Sequence, residues 1–389
     1  DVVSGTSAGG INGIFLAKAL ANGADFSPLR KLWVDEGDIS LLLNDARSRA
    51  GLTVVRPDTG DKPASLLNSD RMYLKLLSAL DDMPALGTLP TPSDASPLVD
   101  EIDLFVTTTD IVGAQVPLRL SDMVVQERRH KHVFHFGFPE GTNDGNDFAN
   151  SNNPFLAFAA RCTSSFPFAF EPMNLHAMLE LSQGSNAKWP QEPWNRYFSY
   201  LPKETVDKAG HAYRAYGDGG YLDNKPFSYV VDTLSHRQAE VPMERKLIYV
   251  EPAPEKFRQE PTPSETSQPD ALSNALAALT KIPQYETIRE DLQAVLKRNQ
   301  RVERVENIVR LSELAVEAQE ENFQRVLREK GGIPPWAQLK LSTLVNYHGA
   351  AILPYRRLRV FVVTDMLAEH LARLWDVDRE ADHFYALRA

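Results

Sequence analysis

Hydrophobic positions change period several times along this 389-residue chain, and each change marks an element. Val2 and Val3 read as the end of a buried strand. The turn Gly5-Thr6-Ser7-Ala8-Gly9 follows. Ile11, Ile14, Phe15, Leu16, Ala19 and Leu20 then open a helix, with Lys18 expected on its solvent side. A short helix is predicted over 70–80. Arg128 to Phe136 reads as a partly buried strand with imperfect alternation, and Leu247 to Val250 as a late core strand. From Tyr285 to Lys330 there is no Gly or Pro, and Ile288, Leu292, Val295, Val302, Val305 and Ile308 fall at largely helical spacings. Glu306 with Arg310 and Glu321 with Arg325 add i,i+4 pairs, and Gly331-Gly332 ends the run. Tyr355 to Trp375 contains Val360-Phe361-Val362-Val363, which fits a strand. Its length and its Ala, Leu and Glu content favour a helix.

Breakers divide the chain. Asp45 to Pro97 is rich in Pro, Gly, Asp and Ser and reads as an insertion or cap over the sheet. Pro172 to Pro202 is again turn-rich and carries Trp189, Trp194 and Tyr197. Such aromatics serve as packing for the loop, with an acyl-chain rim as the functional alternative. Pro252 to Pro269 has a linker composition. The expected organisation is therefore an α/β region over 1–255, a Pro-rich linker over 256–272 and a mainly helical region over 273–389. The last is expected to be a bundle packed on the first region, with a partner-binding arm as the alternative.

Two short segments carry candidate chemistry. Gly5-Thr6-Ser7-Ala8-Gly9 is a G-x-S-x-G turn between a strand and a helix. Small flanking residues let the chain bend sharply and lift the serine out of the sheet. Its backbone lies at a helix N-terminus, where unpaired N–H groups favour developing negative charge. A phosphate-cradling loop is the competitor, but the Lys-Ser/Thr ending of a P-loop is missing. The second segment, Tyr216-Gly217-Asp218-Gly219-Gly220-Tyr221-Leu222-Asp223-Asn224-Lys225-Pro226, sets an acid among glycines. Glycine there permits close backbone approach to a distant loop, while an Asp-Gly turn between strands would read the same way. His130, His132 and His135 have no carboxylate at a convincing spacing and are surrounded by Lys131 and arginines. No metal site is expected.

Together these segments resemble the patatin-like phospholipase family. The resemblance includes GTSAGGING around Ser7, DGGYLDNKP around Asp218, Ala160-Arg161-Cys162-Thr163-Ser164-Ser165-Phe166-Pro167 with Phe170-Glu171-Pro172, and Leu104 to Asp110 as a strand similar to one ending in ATD. It runs from Asp1 to Pro226. It implies a three-layer α/β/α fold and a Ser–Asp dyad, with Ser7 as nucleophile, Asp218 as its base and the Ala8 N–H as an oxyanion donor. Gly5, Gly9, Gly219 and Gly220 would support the two motifs. No cofactor or metal is implied, and the substrate would be a lipid or another acyl ester. Chains of this family carry a glycine-rich GGGxRG-type loop upstream of the nucleophile strand, and this sequence opens inside that strand. The expectation is a fragment of a longer protein with little turnover by itself. An α/β-hydrolase with a Ser–His–Asp triad would instead need His348 or His370. A non-catalytic lipid-binding scaffold that keeps the fold is the alternative from another class.

Composition narrows the rest. Hydrophobic content of 43% and charged content of 24% are ordinary for a globular protein. A single cysteine, Cys162, excludes an internal disulfide and fits a reducing compartment. Residues 1–272 hold 25 Lys and Arg against 36 Asp and Glu, net −11, while residues 273–389 hold 17 against 16. An acidic α/β region argues against nucleic acid and against electrostatic adsorption to anionic lipid. Any transient membrane contact is expected to be mainly apolar. No apolar run approaches the ~20 residues that span a bilayer, so a cytoplasmic or membrane-peripheral location is expected, with export left open.

Overall fold

A computed structural model of the chain describes residues 1–50, 52, 64–85, 98–120, 123–139, 145–183, 194–237, 244–251, 270–278, 282, 288–329, 349–375 and 384. Contacts divide the chain into two compact units, Asp1–Asp291 and Leu292–Ala389.

In the first unit the described strands form one mixed sheet: β1 (Val2–Gly5), β2 (Ile102–Arg119), β3 (Val124–Phe138) and β4 (Tyr216–Asp218). β1 runs parallel to β2, with Gly5 opposite Val106. β3 lies antiparallel on the other edge of β2. β4 pairs antiparallel with β2 just past the end of β1, which sets Asp218 opposite Thr108. The two halves of the chemistry are thus brought to the same end of the sheet by the strand they share.

Helices cover both faces. The helix α1 (Ala8–Asn22) lies on the side of Leu104 and Val106, where Gly10 and Gly13 sit directly over those side chains. Phe105 points to the opposite face, because strand side chains alternate, and stacks on Tyr229 at 5.3 Å between ring centroids. Tyr229 belongs to a second-layer helix, residues Phe227–His236. On the α1 side, α2 (Ser69–Asp81) packs on α3 (Asn153–Thr163), which in turn contacts α1 and β2. The α/β/α layering follows from these contacts.

Several local expectations are corrected. Lys18 faces inward and is almost completely buried. Its ammonium donates to the Phe148 carbonyl at 2.8 Å and to Asn150 Oδ1 at 2.9 Å, and burial lowers its pKa to about 8. The turn-rich stretch over 172–202 contains a helix, α4 (Leu175–Gln183), whose Leu175, Met178, Leu179 and Leu181 are buried. Asn174 starts it by accepting the Ala177 N–H at 2.8 Å, a local cap that outweighs the surrounding prolines. Trp194 and Tyr197 are buried, and Tyr197 stacks on Phe155 at 4.4 Å, so both are core packing. Trp189 lies outside the described residues. Leu247 to Val250 forms no strand: residues 244–251 have no regular structure, and Ile248 and Val250 are about four-fifths exposed, at 81% and 79%. An apolar run becomes a strand only where another strand meets its backbone, and none of the described strands does so here. The helix Phe227–His236 beneath Phe105 is α5 in chain order. In the second unit the helical patterns are realised as α6 (Arg289–Glu329) and α7 (Gly349–Leu374), the latter taking in Val360 to Val363.

Candidate active site

The turn after β1 holds Ser7 in a conformation that L-residues avoid, with φ of 54°. Glycine makes the turn possible. A Cβ on Gly5 would lie 2.3 Å from the Gly9 carbonyl oxygen, so the chain can close on itself only without one. Gly9 has open space around its Cα, and its N–H bonds the Thr6 carbonyl at 2.9 Å. Thr6 fixes the turn from below. Its hydroxyl donates to the Asp223 carbonyl at 2.8 Å and lies 2.6 Å from the Thr107 hydroxyl of β2.

The glycine-rich acid loop closes over the same strand. A Cβ on Gly219 would come within 2.2 Å of Thr107 Oγ1 and 2.5 Å of its carbonyl oxygen. Thr108 and Thr109 donate their hydroxyls to the Gly217 and Asp218 carbonyls, both at 2.7 Å. Three consecutive threonines therefore bind both loops. Asp218 is 2% exposed. One carboxylate oxygen accepts the Gly220 N–H at 2.7 Å, and the other accepts the Ser7 hydroxyl at 3.0 Å across 211 residues of sequence. Burial, more than any other influence, raises the Asp218 pKa to about 6; the bonds from Gly220 and Ser7 and the Arg161 charge pull the other way.

Residues outside the two motifs complete the surroundings. Thr163, at the end of α3, accepts the Ser7 backbone N–H on its hydroxyl at 2.9 Å. Arg161 is fully buried and donates to Ser165 Oγ at 3.0 Å, Ser69 Oγ at 2.5 Å and the Glu171 carbonyl at 3.1 Å. The Ser165 carbonyl accepts both the Asp218 N–H at 3.3 Å and the Tyr221 hydroxyl at 3.0 Å. Ala8 is the first residue of α1, and its N–H belongs to the turn that a helix leaves without internal acceptors. The structure thus brings Ser7, Ala8, Asp218, Gly219 and Gly220 together. Sequence reading gave no role to Thr6, Thr107 or Thr163. The signal for Thr163 was its place in the Arg161-Cys162-Thr163-Ser164 stretch, and for Thr107 the run of three threonines.

Three described histidines of the first unit make other contacts. His135 pairs with Asp103 at 2.7 Å, His130 Nδ1 contacts the Asp110 carbonyl at 2.8 Å, and His132 is buried against Tyr200. His370 is exposed on α7 in the second unit, and His348 lies outside the described residues. Among the described residues no cluster of His, Cys, Asp and Glu could hold a metal. A cavity of about 550 Å³ along β3, bordered by Asp103, His135, Arg196 and Tyr200, includes neither Ser7 nor Asp218.

The serine on the strand-to-helix turn is thus bonded to an aspartate in a glycine-rich loop. The patatin-like phospholipase family matches residues 1–231. The chain belongs to that family. Over 333 residues it is also 31% identical to a protein named "Uncharacterized membrane protein Rv3479" from Mycobacterium tuberculosis, a match covering 81% of this chain and 27% of that protein. The chain therefore spans about a quarter of that relative's length. No solved structure matches. No helix among the described residues of this patatin-like chain is long and apolar enough to cross a membrane.

Proposed function

We propose that the chain is a lipid acyl hydrolase that cleaves carboxylic esters through a Ser7–Asp218 dyad. The observation that carries this reading is the 3.0 Å bond from Ser7 Oγ to a buried carboxylate, made by a serine held at positive φ. A serine hydroxyl attacks an ester only when a base takes its proton, and the bond to Asp218 supports that role for this carboxylate. With a pKa of about 6 it is ionised at neutral pH yet more basic than an ordinary carboxylate.

The steps follow from these atoms. Ser7 Oγ bonds to the ester carbonyl carbon as its proton passes to Asp218 Oδ2. The carbonyl oxygen becomes an oxyanion, which the Ala8 N–H and the positive end of α1 stabilise. Collapse of the tetrahedral adduct breaks the bond to the alcohol, which leaves with the proton returned from Asp218. Water, deprotonated by the same carboxylate, then cleaves the acyl-enzyme, releasing the carboxylic acid and restoring both side chains. The bond from the Ser7 N–H to Thr163 holds the nucleophile's backbone fixed through these changes. A lipid substrate is the family's suggestion, and the name of the mycobacterial relative places that protein at a membrane.

The test is a pair of variants. In the full-length protein, Ser7→Ala and Asp218→Asn should each abolish hydrolysis of a short acyl ester, and Ser7→Ala should abolish labelling by a fluorophosphonate. Labelling that persists in Ser7→Ala, or full activity in Asp218→Asn, would overturn the reading.

A further inference from the structure

Beyond Asp110, β2 leaves the sheet and continues with β3 alone as a two-stranded ribbon. Its root is fixed. The register shifts between Thr109 and Ala114, and Gly113 takes φ of 77° to turn the strand. Asp110 Oδ1 accepts the Val112 and Gly113 N–H groups at 3.1 Å each, and Arg214 ties Asp110 Oδ2, at 2.5 Å, to the Gly113 carbonyl at 2.7 Å. From there about ten residues of β2 reach the tip, on the order of 20–30 Å away.

The ribbon's two faces differ. Leu118 pairs with Val125, and the backbone bond from Leu120 N–H to the Met123 carbonyl closes the next step. Side chains directly opposite share a face, so these four form one apolar patch, each side chain about two-fifths to three-fifths exposed. The other face holds Arg119 opposite Val124 and Arg128 opposite Gln115, with Gln126 between them. On the face of the apolar patch, Glu127 opposite Val116 and Arg129 opposite Ala114 follow toward the root. Exposed apolar side chains gathered on one face of a projecting element mark a contact surface.

Position and charge choose the partner. β1 ends level with Val106, Asp218 is level with Thr108, and the same strand then runs on into the ribbon. The ribbon therefore rises from the end of the sheet that carries Ser7 and Asp218. Within an acidic unit, residues 111–129 carry Arg119, Arg128 and Arg129 against Asp122 and Glu127, net +1, and Arg119 and Arg128 share the face opposite the apolar patch. We propose that the β2–β3 ribbon is a membrane-docking arm that inserts Leu118, Leu120, Met123 and Val125 into the interface of an anionic phospholipid surface, with Arg119 and Arg128 at the headgroup phosphates. An apolar face immersed by ~5–10 Å with arginines on the other side is the arrangement of interfacial elements generally. This deepens the acyl-hydrolase reading, since it would deliver Ser7 to aggregated lipid, and it differs from the expectation from net charge alone, which is of mainly apolar contact.

The experiment uses the whole chain with vesicles of phosphatidylcholine, with and without phosphatidylglycerol, in sedimentation assays. The Ser7→Ala protein should bind the anionic vesicles as wild type does. Leu118→Asp with Val125→Asp should weaken binding about 100-fold. Arg119→Gln with Arg128→Gln should weaken it on anionic vesicles by about fivefold per arginine and leave phosphatidylcholine binding unchanged. All ribbon variants should keep wild-type circular dichroism, and their rate on a soluble short-chain ester should match that of the parent. Unchanged vesicle binding by the folded Leu118→Asp, Val125→Asp protein would overturn the proposal. So would dimerisation through these residues without vesicle binding, which would assign the patch to a second copy. If vesicle binding follows the expected pattern while no form hydrolyses the soluble ester, the docking arm stands and the hydrolase reading fails.

Discussion

The two halves of β2 belong to one strand and behave as two different objects. From Ile102 to Asp110 it is flanked by β1 or β4 on one side and by β3 on the other, and most of its side chains are buried. From Ile111 onward its described partner is β3 alone, and most of its side chains are exposed. The inner half has alternating faces to pack, so even its polar residues are specified: Thr107, Thr108 and Thr109 each bind a loop of the candidate site. The outer half has a single neighbour and solves nothing internally, so its pattern of side chains serves an outside surface. A strand's composition is thus informative in opposite ways. Where neighbours surround it, residues record internal geometry; where they do not, residues record what the protein meets.

The sharpest break in this comparison comes from chemistry at the inner end. Ser7→Ala and Asp218→Asn should lower kcat/KM on a soluble ester by about 10⁴ or more, whereas ribbon substitutions should leave it unchanged. Steady-state kinetics on both sets of variants checks this. Next in size, Gly219→Ala forces a methyl into Thr107, where both the hydroxyl and the backbone oxygen lie closer than any Cβ contact allows. The acid loop must shift, and a loss of about 10²-fold in kcat with 2–3 kcal/mol of stability is expected, measured by kinetics and urea unfolding. The same alanine change at Gly9, which meets open space, should cost far less stability.

The pH dependence sharpens the contrast between the buried carboxylate and exposed charge. Asp218 must be ionised to act as base, so kcat/KM should rise with pH through an apparent pKa of about 6 and then level off. The stability linkage has the opposite sign. Its folded pKa lies above the unfolded value of 3.8, so the native state binds more protons between them, and stability falls as pH rises from about 4 through 6. Asp218→Asn should therefore raise stability at pH 8 by about 2 kcal/mol relative to its effect at pH 4, read from urea denaturation at the two pH values. Smaller again, Thr107→Val removes a hydroxyl shared by Thr6 and the Asp223 carbonyl and should cost about 1–2 kcal/mol with a severalfold loss of activity. The smallest effect is on the outer half, where Leu118→Asp should change the unfolding free energy by less than about 0.5 kcal/mol, despite abolishing an apolar contact surface.

Legibility followed how local the determining physics was. The strand–turn–helix around Ser7 could be read directly, since a glycine turn and an apolar helical stripe are properties of ten or so neighbouring residues. The long helix α6 was readable for the same reason, through period and the lack of breakers, and α7 through its length and Ala, Leu and Glu content, though it begins at Gly349 and runs through Pro354 ahead of the Tyr355 start read from the sequence. Lys18 was misplaced because a helix position is solvent-facing only if nothing covers it, and the Phe148 and Asn150 acceptors come from 130 residues further on. The imperfect alternation of Arg128 to Phe136 had a cause that no window on the sequence contains: β3 passes from the exposed ribbon into the buried sheet within that stretch. Leu247 to Val250 has strand composition, and composition does not supply a partner.

By itself the sequence determined which residues could do chemistry and where the chain must bend, because glycine, serine and aspartate impose their limits through their own covalent structure and immediate neighbours. Tertiary structure decided how Ser7 meets Asp218, that burial raises that carboxylate's pKa to about 6, that three threonines of β2 hold the two loops together, and that the same strand then emerges as an amphipathic arm. The first three depend on contacts between segments a hundred or more residues apart, or on exclusion of water by them, and the arm's exposure depends on which strands meet β2; the energy of such contacts exists only once the sheet has formed.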